Sequence, residues 1–339
     1  MAKKVLVTGG AGYIGSHTVV ELVKSGYDPV ILDDYRNSNA SVIKRLTQII
    51  GKEPEHVVCD VCDQNRIEEI VDTYSISGVI HFAAYKAVGE SVENPLKYYS
   101  NNIAGLVSVL NVLKKRPETP FVFSSSCTVY GEPMGLKEVN ENTAKSIPTS
   151  PYGYTKWLGE QIIDDLFNSN KQLKMMSLRY FNPIGAHETA KIGELPLGVP
   201  QNLIPFVVQT AAGIRECLSV FGNDYNTPDG TAVRDYIHVV DLAKAHIVAL
   251  NRLLNIENKA ACEFFNVGTG KGSSVLDVIN AFEKATNKKV NYKIVARRAG
   301  DITAAYADTS LANNELGWKA ELGLEQALAS SWKWQESLK

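Results

Sequence analysis

Short runs of β-branched and aliphatic residues alternate with helix-length segments through the first half of the chain. The runs are KVLVT (4–8), PVILD (29–33), HVVCD (56–60), GVIHFA (78–83), FVFSSS (121–126) and MMSLRYF (175–181). Between them, 14–26, 40–50, 65–74, 95–115 and 152–169 are predicted helices. This rhythm predicts βαβ units, so the expected fold is α/β, a doubly wound parallel sheet with helices on both faces.

The alternation loosens after Asn182. NPIGAHETAKIGELPLGVPQN (182–202) has no sustained period and is rich in Gly and Pro, which predicts a long loop leaving the sheet. A smaller mixed α/β region is expected beyond it, with helices at 203–214, 241–254, about 275–285 and 324–338 and a strand EFFNVG (263–268). No internal repeat or low-complexity tract interrupts the chain.

Composition removes whole classes of partner. Lys and Arg number 35 against 37 acids, a net charge of −2, so the basic footprint that phosphate-backbone binding demands is missing and no nucleic-acid partner is expected. The opening MAKKVLVTGG has a strand-length apolar run ending in glycines, unlike a signal or membrane segment, so a cytoplasmic protein with no membrane partner is expected. The five cysteines, at 59, 62, 127, 217 and 262, include one close pair but no second pair at zinc-ligand spacing, which predicts reduced packing residues and no metal.

Candidate chemistry begins at the first turn. VLVTGGAGYIGSH (5–17) follows strand one, opens a helix, and places Gly9, Gly12 and Gly15 (or Gly10, Gly12 and Gly15) in dinucleotide-binding spacing. Such glycines let backbone approach a pyrophosphate seated on the positive end of the helix. Asp33, eighteen residues beyond Gly15, ends the second strand where an acid accepts from the adenosine ribose. A carboxylate there repels a 2′-phosphate and favours NAD over NADP, with Arg36 as the residue that argues the other way. Asp60 and HFAA (81–84) fall at further strand ends, outlining a crevice.

At the far end of that crevice stand three serines (124–126) and, after a short loop, SPYGYTK (150–156). Pro151 suits a first helical position, and Tyr152 and Lys156 are then four apart on one face, while Tyr154 points elsewhere. Lowering a phenol from about 10 to about 7 asks for roughly 4 kcal/mol of preference for the phenolate. A nearby ammonium and an oxidised nicotinamide in a low-dielectric cleft could supply it and create a general base. His238 and His246 lack a third partner at ligand spacing, which predicts helix and core roles.

The glycine fingerprint, SSSCTVYG and YGYTK together resemble the extended short-chain dehydrogenase/reductase family. Longer stretches narrow the likeness to its members that invert C4 of a UDP-hexose: VIHFAAYKAVGESVENPLKYYSNN (79–102), LRYFNPIGAH (178–187), FGNDYNTPDGTAVRDYIHVVDLAKAH (221–246), FNVGTGKGSSV (265–275) and RRAGD (297–301). The resemblance implies that UDP-galactose and UDP-glucose interconvert through a 4-keto sugar on tightly bound NAD, in galactose metabolism. By the same likeness Tyr152 is the acid/base, Lys156 tunes it, and Ser126 bonds the same sugar oxygen. Tyr13, Ile14, Asp33, Asn37, Ser38, Asp60, Val61, Phe82, Ala83, Ala84, Lys86, Asn101 and Phe181 match the family's NAD contacts, with Ser126, Tyr152 and Lys156. Asn182, Asn202, Leu203, Phe221, Arg234, Arg298, Asp301 and Ala305 match its UDP-sugar contacts. Two arginines suit a diphosphate, Asp301 a ribose, and Phe221 a uracil face. The bland alternatives are an Arg234–Asp235 ion pair and a core Phe221.

The same likeness implies an NAD-binding part at 1–182, rejoined by about 232–268, a mainly UDP-sugar-binding part at 183–339, and a homodimer. Two departures from the pattern stand out. Ala84-Tyr85 replaces a common Gly-Leu beside the nicotinamide, and Ala305 replaces a bulky tyrosine, leaving room for N-acetylated UDP-hexosamines. The rival functions are a 4,6-dehydratase, whose added Asp-Glu pair is here Cys127-Thr128, and a non-catalytic NAD sensor on the same fold.

Overall fold

The computed structural model describes residues 2–132, 137–255, 262–298 and 301–338. Strand β1 (Lys4–Thr8) lies at the centre of a seven-stranded sheet. On one side it pairs with β2 (Asp28–Asp33) and then β3 (Glu55–Val58). On the other follow β4 (Gly78–His81), β5 (Phe121–Ser126), β7 (Met175–Tyr180) and β11 (Cys262–Val267), every pairing parallel. The two-residue β6 (Glu138–Val139) lies elsewhere. The order reverses at β1, and the crevice beyond the carboxyl ends of β1 and β4 is where ligands of such sheets bind.

Helices cover both faces because the strands are apolar on both. Helices α1 (Tyr13–Lys24) and α2 (Ser41–Ile50), together with the later α9 (Val239–Leu254), bury Val19, Leu46, Leu242 and Leu250 against Val7 and Ile31. The opposite face packs α3 (Gln64–Thr73), α6 (Ala104–Leu113) and α7 (Pro151–Ser169) through Ile67, Leu106, Val109 and Ile163 onto Leu6, Val79 and Phe121.

The long helix expected over 95–115 is interrupted. Short α4 (Val88–Glu93) and α5 (Pro95–Tyr98) precede a π-helical turn at Tyr99–Ile103, after which α6 begins. The wider turn turns Asn101 and Asn102 inward. Asn102 accepts from the Tyr85 N–H (2.9 Å) and donates to the Tyr85 carbonyl (3.0 Å) and to Thr155 Oγ1 (3.1 Å). Such insertions cluster at functional sites.

The second region is built on β8 (Asn182–Ile184), β10 (Val233–His238), β12 (Gly272–Ser274) and β14 (Ala304–Ala307), with β6 at the edge. A two-stranded sheet joins β9 (Leu218–Phe221) to β13 (Tyr292–Val295). Helices α8 (Leu203–Ala211), α10 (Val275–Thr286) and α11 (Leu324–Ser337) close it around Val207, Phe282 and Leu328. Strand β10 was not expected from its sequence, because Arg234 and Asp235 break its apolar alternation. The supposed loop after Asn182 holds β8, which pairs with β10. Helix α9 and β11 return to the first sheet, so the chain crosses between the two regions more than once.

Candidate active site

Gly9 and Gly15 shape the turn from β1 into α1. Gly9 has a φ of +69°, and a Cβ on it would lie 2.7 Å from the Ala83 nitrogen. A Cβ on Gly15 would lie 2.3 Å from the Gly9 carbonyl oxygen. Gly12 precedes the first helical residue, Tyr13, and no side chain caps this end, so its first-turn N–H groups face the crevice mouth.

Asp33 closes the turn from the side: Oδ2 accepts from the Ala11 N–H (3.0 Å), and Oδ1 from Ser38 (2.8 Å) and the Tyr35 N–H (2.9 Å). Burial raises its pKa against those hydrogen bonds. Arg36 is already engaged, with Asp60 at 2.5 Å, Asp34 at 2.5 Å and Asn101 at 3.2 Å. A side-chain-free helix end, a ribose-accepting carboxylate and a neutralised arginine fit NAD, and this donor set disfavours a 2′-phosphate.

The remaining residues expected at the cofactor lie along the same strand ends. Ile14 opens α1, Asn37 follows β2, Val61 is buried beyond β3, and Phe82, Ala83 and Ala84 follow β4. The Phe82 ring sits 4.7 Å from that of His246, and Phe181 is buried after β7. Lys86 pairs with Glu194 at 2.8 Å, a residue in the 182–202 stretch that carries no motif. Asn202, at the start of α8 beside Leu203, donates to the same carboxylate oxygen at 2.7 Å.

Helix α7 begins as its sequence suggests. Ser150 accepts from the Gly153 N–H (3.2 Å), and Pro151 takes the first turn. Tyr154 turns away, its ring set edge-on to Trp157. Ser126 ends β5 and accepts from Thr128 Oγ1 at 3.0 Å.

Lys156 departs from expectation. Its ammonium does not bond Tyr152; it donates to the Ser124 carbonyl (2.5 Å) and lies over the Phe123 ring. Burial pushes it down to about 7, with Glu160 opposing. The Tyr152 phenol is pushed up to about 12 by burial, and Ser126 pulls it only partly back. Within the chain itself, burial opposes a softened phenol and the Ser126 hydroxyl favours one.

Ser124 and Glu160 were missed, although each had a local signal. Ser124 is two strand residues from Ser126, on the same face, and Glu160 is one helical turn beyond Lys156. Glu160 is clasped by Arg179 through two bonds (2.8 and 2.9 Å), by Lys145 (2.7 Å) and by Ser125 (2.5 Å). Glu194 had no such signal.

Four of the residues expected at the UDP end, Phe221, Arg234, Arg298 and Asp301, form one group in the second region. Arg298 forks onto Asp301 (2.8 and 3.2 Å), Arg234 approaches the same carboxylate at 3.8 Å, and Arg298 stands over the Phe221 ring. Phe221 is 39% exposed, so it is no core aromatic. Asp235 points to the opposite face of β10, accepting from Thr269, Gly270 and Ala307, which leaves Arg234 to Asp301. Ala305 is the strand partner of Arg234, and Asn182 is paired with Tyr236. Cys127, the residue after Ser126, packs against a cluster that holds Phe181 and Ala307, and Ala307 lies two residues along β14 from Ala305, so β14 links this group to the Ser126 end of the crevice.

His238 caps α9 by accepting from the Val240 N–H, and buried His246 bonds the Tyr180 hydroxyl. Among the described residues no cluster could hold a metal and no helix is long and apolar enough to cross a membrane.

Comparison with known proteins adds four likenesses. A family model described as GDP-mannose 4,6 dehydratase matches residues 6–331. A UDP-glucose 4-epimerase of Dictyostelium discoideum is 51% identical over 332 residues, 98% of this chain and 95% of that one. The crystal structure of UDP-glucose-4-epimerase from Stenotrophomonas maltophila, with bound NAD and formylated UDP-arabinopyranose, matches at 47% identity and a TM-score of 0.95, covering 99% of this chain and 98% of the other. That of the Bifidobacterium longum enzyme with NAD+ and UDP matches at 46% and 0.93, with the same coverage.

Proposed function

The chain belongs to the extended short-chain dehydrogenase/reductase family, in its NAD-dependent UDP-glucose 4-epimerase branch, and from that premise we propose how its crevice divides the work. The observation that carries the reading is the packing of Cys127, the neighbour of Ser126, against the cluster of Phe181 and Ala307, two residues along β14 from Ala305, the strand partner of Arg234 in the Arg234–Asp301–Arg298–Phe221 group. One end can bind a nucleotide diphosphate; the other can move a proton at a sugar hydroxyl.

Tyr152 takes the proton of the C4 hydroxyl while Ser126 holds that oxygen by a hydrogen bond. Bound NAD would supply the hydride acceptor and donor for C4 and a positive ring charge that favours the Tyr152 phenolate. After the 4-keto sugar has turned over, Tyr152 gives the proton back, and UDP-galactose has become UDP-glucose. Lys156, held by Ser124, orients toward the cofactor ribose and keeps a donor beside the phenol. Gly9, Gly12, Gly15, Tyr13, Ile14, Asp33, Asn37, Ser38, Asp60, Val61, Phe82, Ala83, Ala84, Lys86, Asn101 and Phe181 line the NAD side. Asn182, Asn202, Leu203, Phe221, Arg234, Arg298, Asp301 and Ala305 line the UDP-sugar side. In this reading residues 1–182 with about 232–268 serve NAD, and 183–339 mainly the UDP-sugar.

Incubation with UDP-galactose and no added cofactor should yield UDP-glucose without net NADH. Tyr152→Phe should lower turnover by about 10²–10⁴-fold while NAD stays bound; near-normal turnover would remove Tyr152 from the reaction. A 4-keto-6-deoxy product would instead indicate a dehydratase, a reading opposed by Cys127, whose thiol burial pushes up to about 11. NAD binding without conversion would indicate a sensor.

Ala305 leaves the position beside Arg234 small, so N-acetylated UDP-hexosamines should also turn over. Ala305→Tyr should abolish that activity and spare UDP-galactose. Exposed Val88, Val92, Leu96 and Val107 on α4–α6 form an apolar surface suited to a second copy, and sedimentation should return a homodimer. Five unpaired cysteines suit the reducing cytoplasm, where galactose metabolism would use the enzyme.

A further inference from the structure

We propose that Tyr225 is an additional nucleotide-binding residue, its phenol donating a hydrogen bond to a phosphate oxygen of bound UDP. The proposal rests on the UDP-sugar reading above and adds a residue to it. Tyr225 lies on the loop joining β9 to β10, between Phe221 and Arg234. The residue is 4% exposed, and its hydroxyl is buried without a hydrogen-bond partner among the described residues. An unpaired buried hydroxyl is destabilising, whereas a phenylalanine would fill the same space at no such cost.

The loop holds the ring in one place. It packs on Gly222, where an added Cβ would lie 2.6 Å from a ring carbon. The Arg297 guanidinium stands 4.1 Å from the ring centroid and is tied down by the Asp224 side chain (2.7 Å) and carbonyl (2.6 Å). The Tyr225 N–H donates to the Gly230 carbonyl (3.0 Å), and its own carbonyl accepts from the Thr227 N–H (2.8 Å). A ring fixed this firmly with an unused polar tip is pre-organised for an acceptor from outside the chain.

The surroundings identify that acceptor. The ring packs on Gly222, next to Phe221, and under Arg297, next to Arg298, and Arg298 itself stands 5.5 Å from the Phe221 ring, so the phenol neighbours the group assigned to the nucleotide. Burial, the largest influence, raises the phenol's pKa and keeps it a protonated donor at neutral pH. A donor beside two arginines complements a diphosphate, which offers acceptors only.

Tyr225→Phe in the NAD-loaded enzyme is the test, because it removes the hydroxyl and keeps the ring. KM for UDP-galactose and the Kd of UDP by calorimetry should each rise about tenfold, with kcat within about twofold. Bound NAD should be unchanged, and the melting temperature should be unchanged or higher, since the lost hydroxyl had no partner. Unchanged KM and Kd would overturn the proposal, as would a fall in melting temperature of several degrees. Wild-type enzyme that fails to epimerise sinks the functional reading itself; an active wild type with an indifferent variant sinks only the role of Tyr225.

Discussion

Lys156 stands between the Ser124 carbonyl and, one turn further along α7, Glu160, whose carboxylate is held below its ordinary range because Arg179 and Lys145 outweigh burial. Arg179 in turn donates to the Tyr130 hydroxyl, which bonds Asn266, so one buried network joins α7 to β7 and β11. Removing one partner of such a pair leaves an uncompensated buried charge. Arg179→Met should therefore destabilise the fold by about 3–5 kcal/mol in urea denaturation. A loss below about 1 kcal/mol would mean that Lys145 and Ser125 satisfy Glu160 by themselves.

At the scale of elements, α7 and the π-helical turn position the chemistry together. The first turn of α7 carries Tyr152, the second Lys156, and Thr155 between them meets Asn102 of the π-helical turn. Fraying of that first turn would release Tyr152 before anything else. Ser150→Ala removes the cap on the Gly153 N–H and should cost about 1 kcal/mol. For a chain of 339 residues that is a melting-temperature fall of roughly 1–2 °C, measurable by calorimetry. No change would show that Pro151 and tertiary packing alone hold the start of the helix.

Five of the six histidines, all but the exposed His56, are buried. Burial depresses His17 and His81 to about 3, and His238 and His246 to about 4. An unfolded imidazole titrates near 6.5, so between these values the unfolded chain binds protons that the folded chain refuses. Stability should be fully present above about pH 6.5 and should fall as pH drops through 6.5 toward 4, each histidine steepening the slope by at most about 1.4 kcal/mol per pH unit. Asp33, Asp235 and Glu141, whose pKa values are raised by burial, bind protons preferentially when folded and offset part of this loss. Urea midpoints that stay flat from pH 7 to pH 5 would contradict the burial of these rings.

What the sequence determined by itself was local in origin. Apolar periodicity marked six of the seven strands before Asn182, the glycines and Asp33 marked the turn at α1, and Ser150-Pro151 marked the start of α7, since caps, turns and periods depend on near neighbours. Tertiary structure alone decided the rest. It gave Lys156 to the Ser124 carbonyl and buried the Tyr152 phenol, which raises its pKa. It joined Lys86 and Asn202 through Glu194, 108 and 8 residues away, and made a strand of the charged VRDYIH segment. These outcomes depend on burial and on charges brought together from distant positions, and a one-dimensional pattern carries neither quantity.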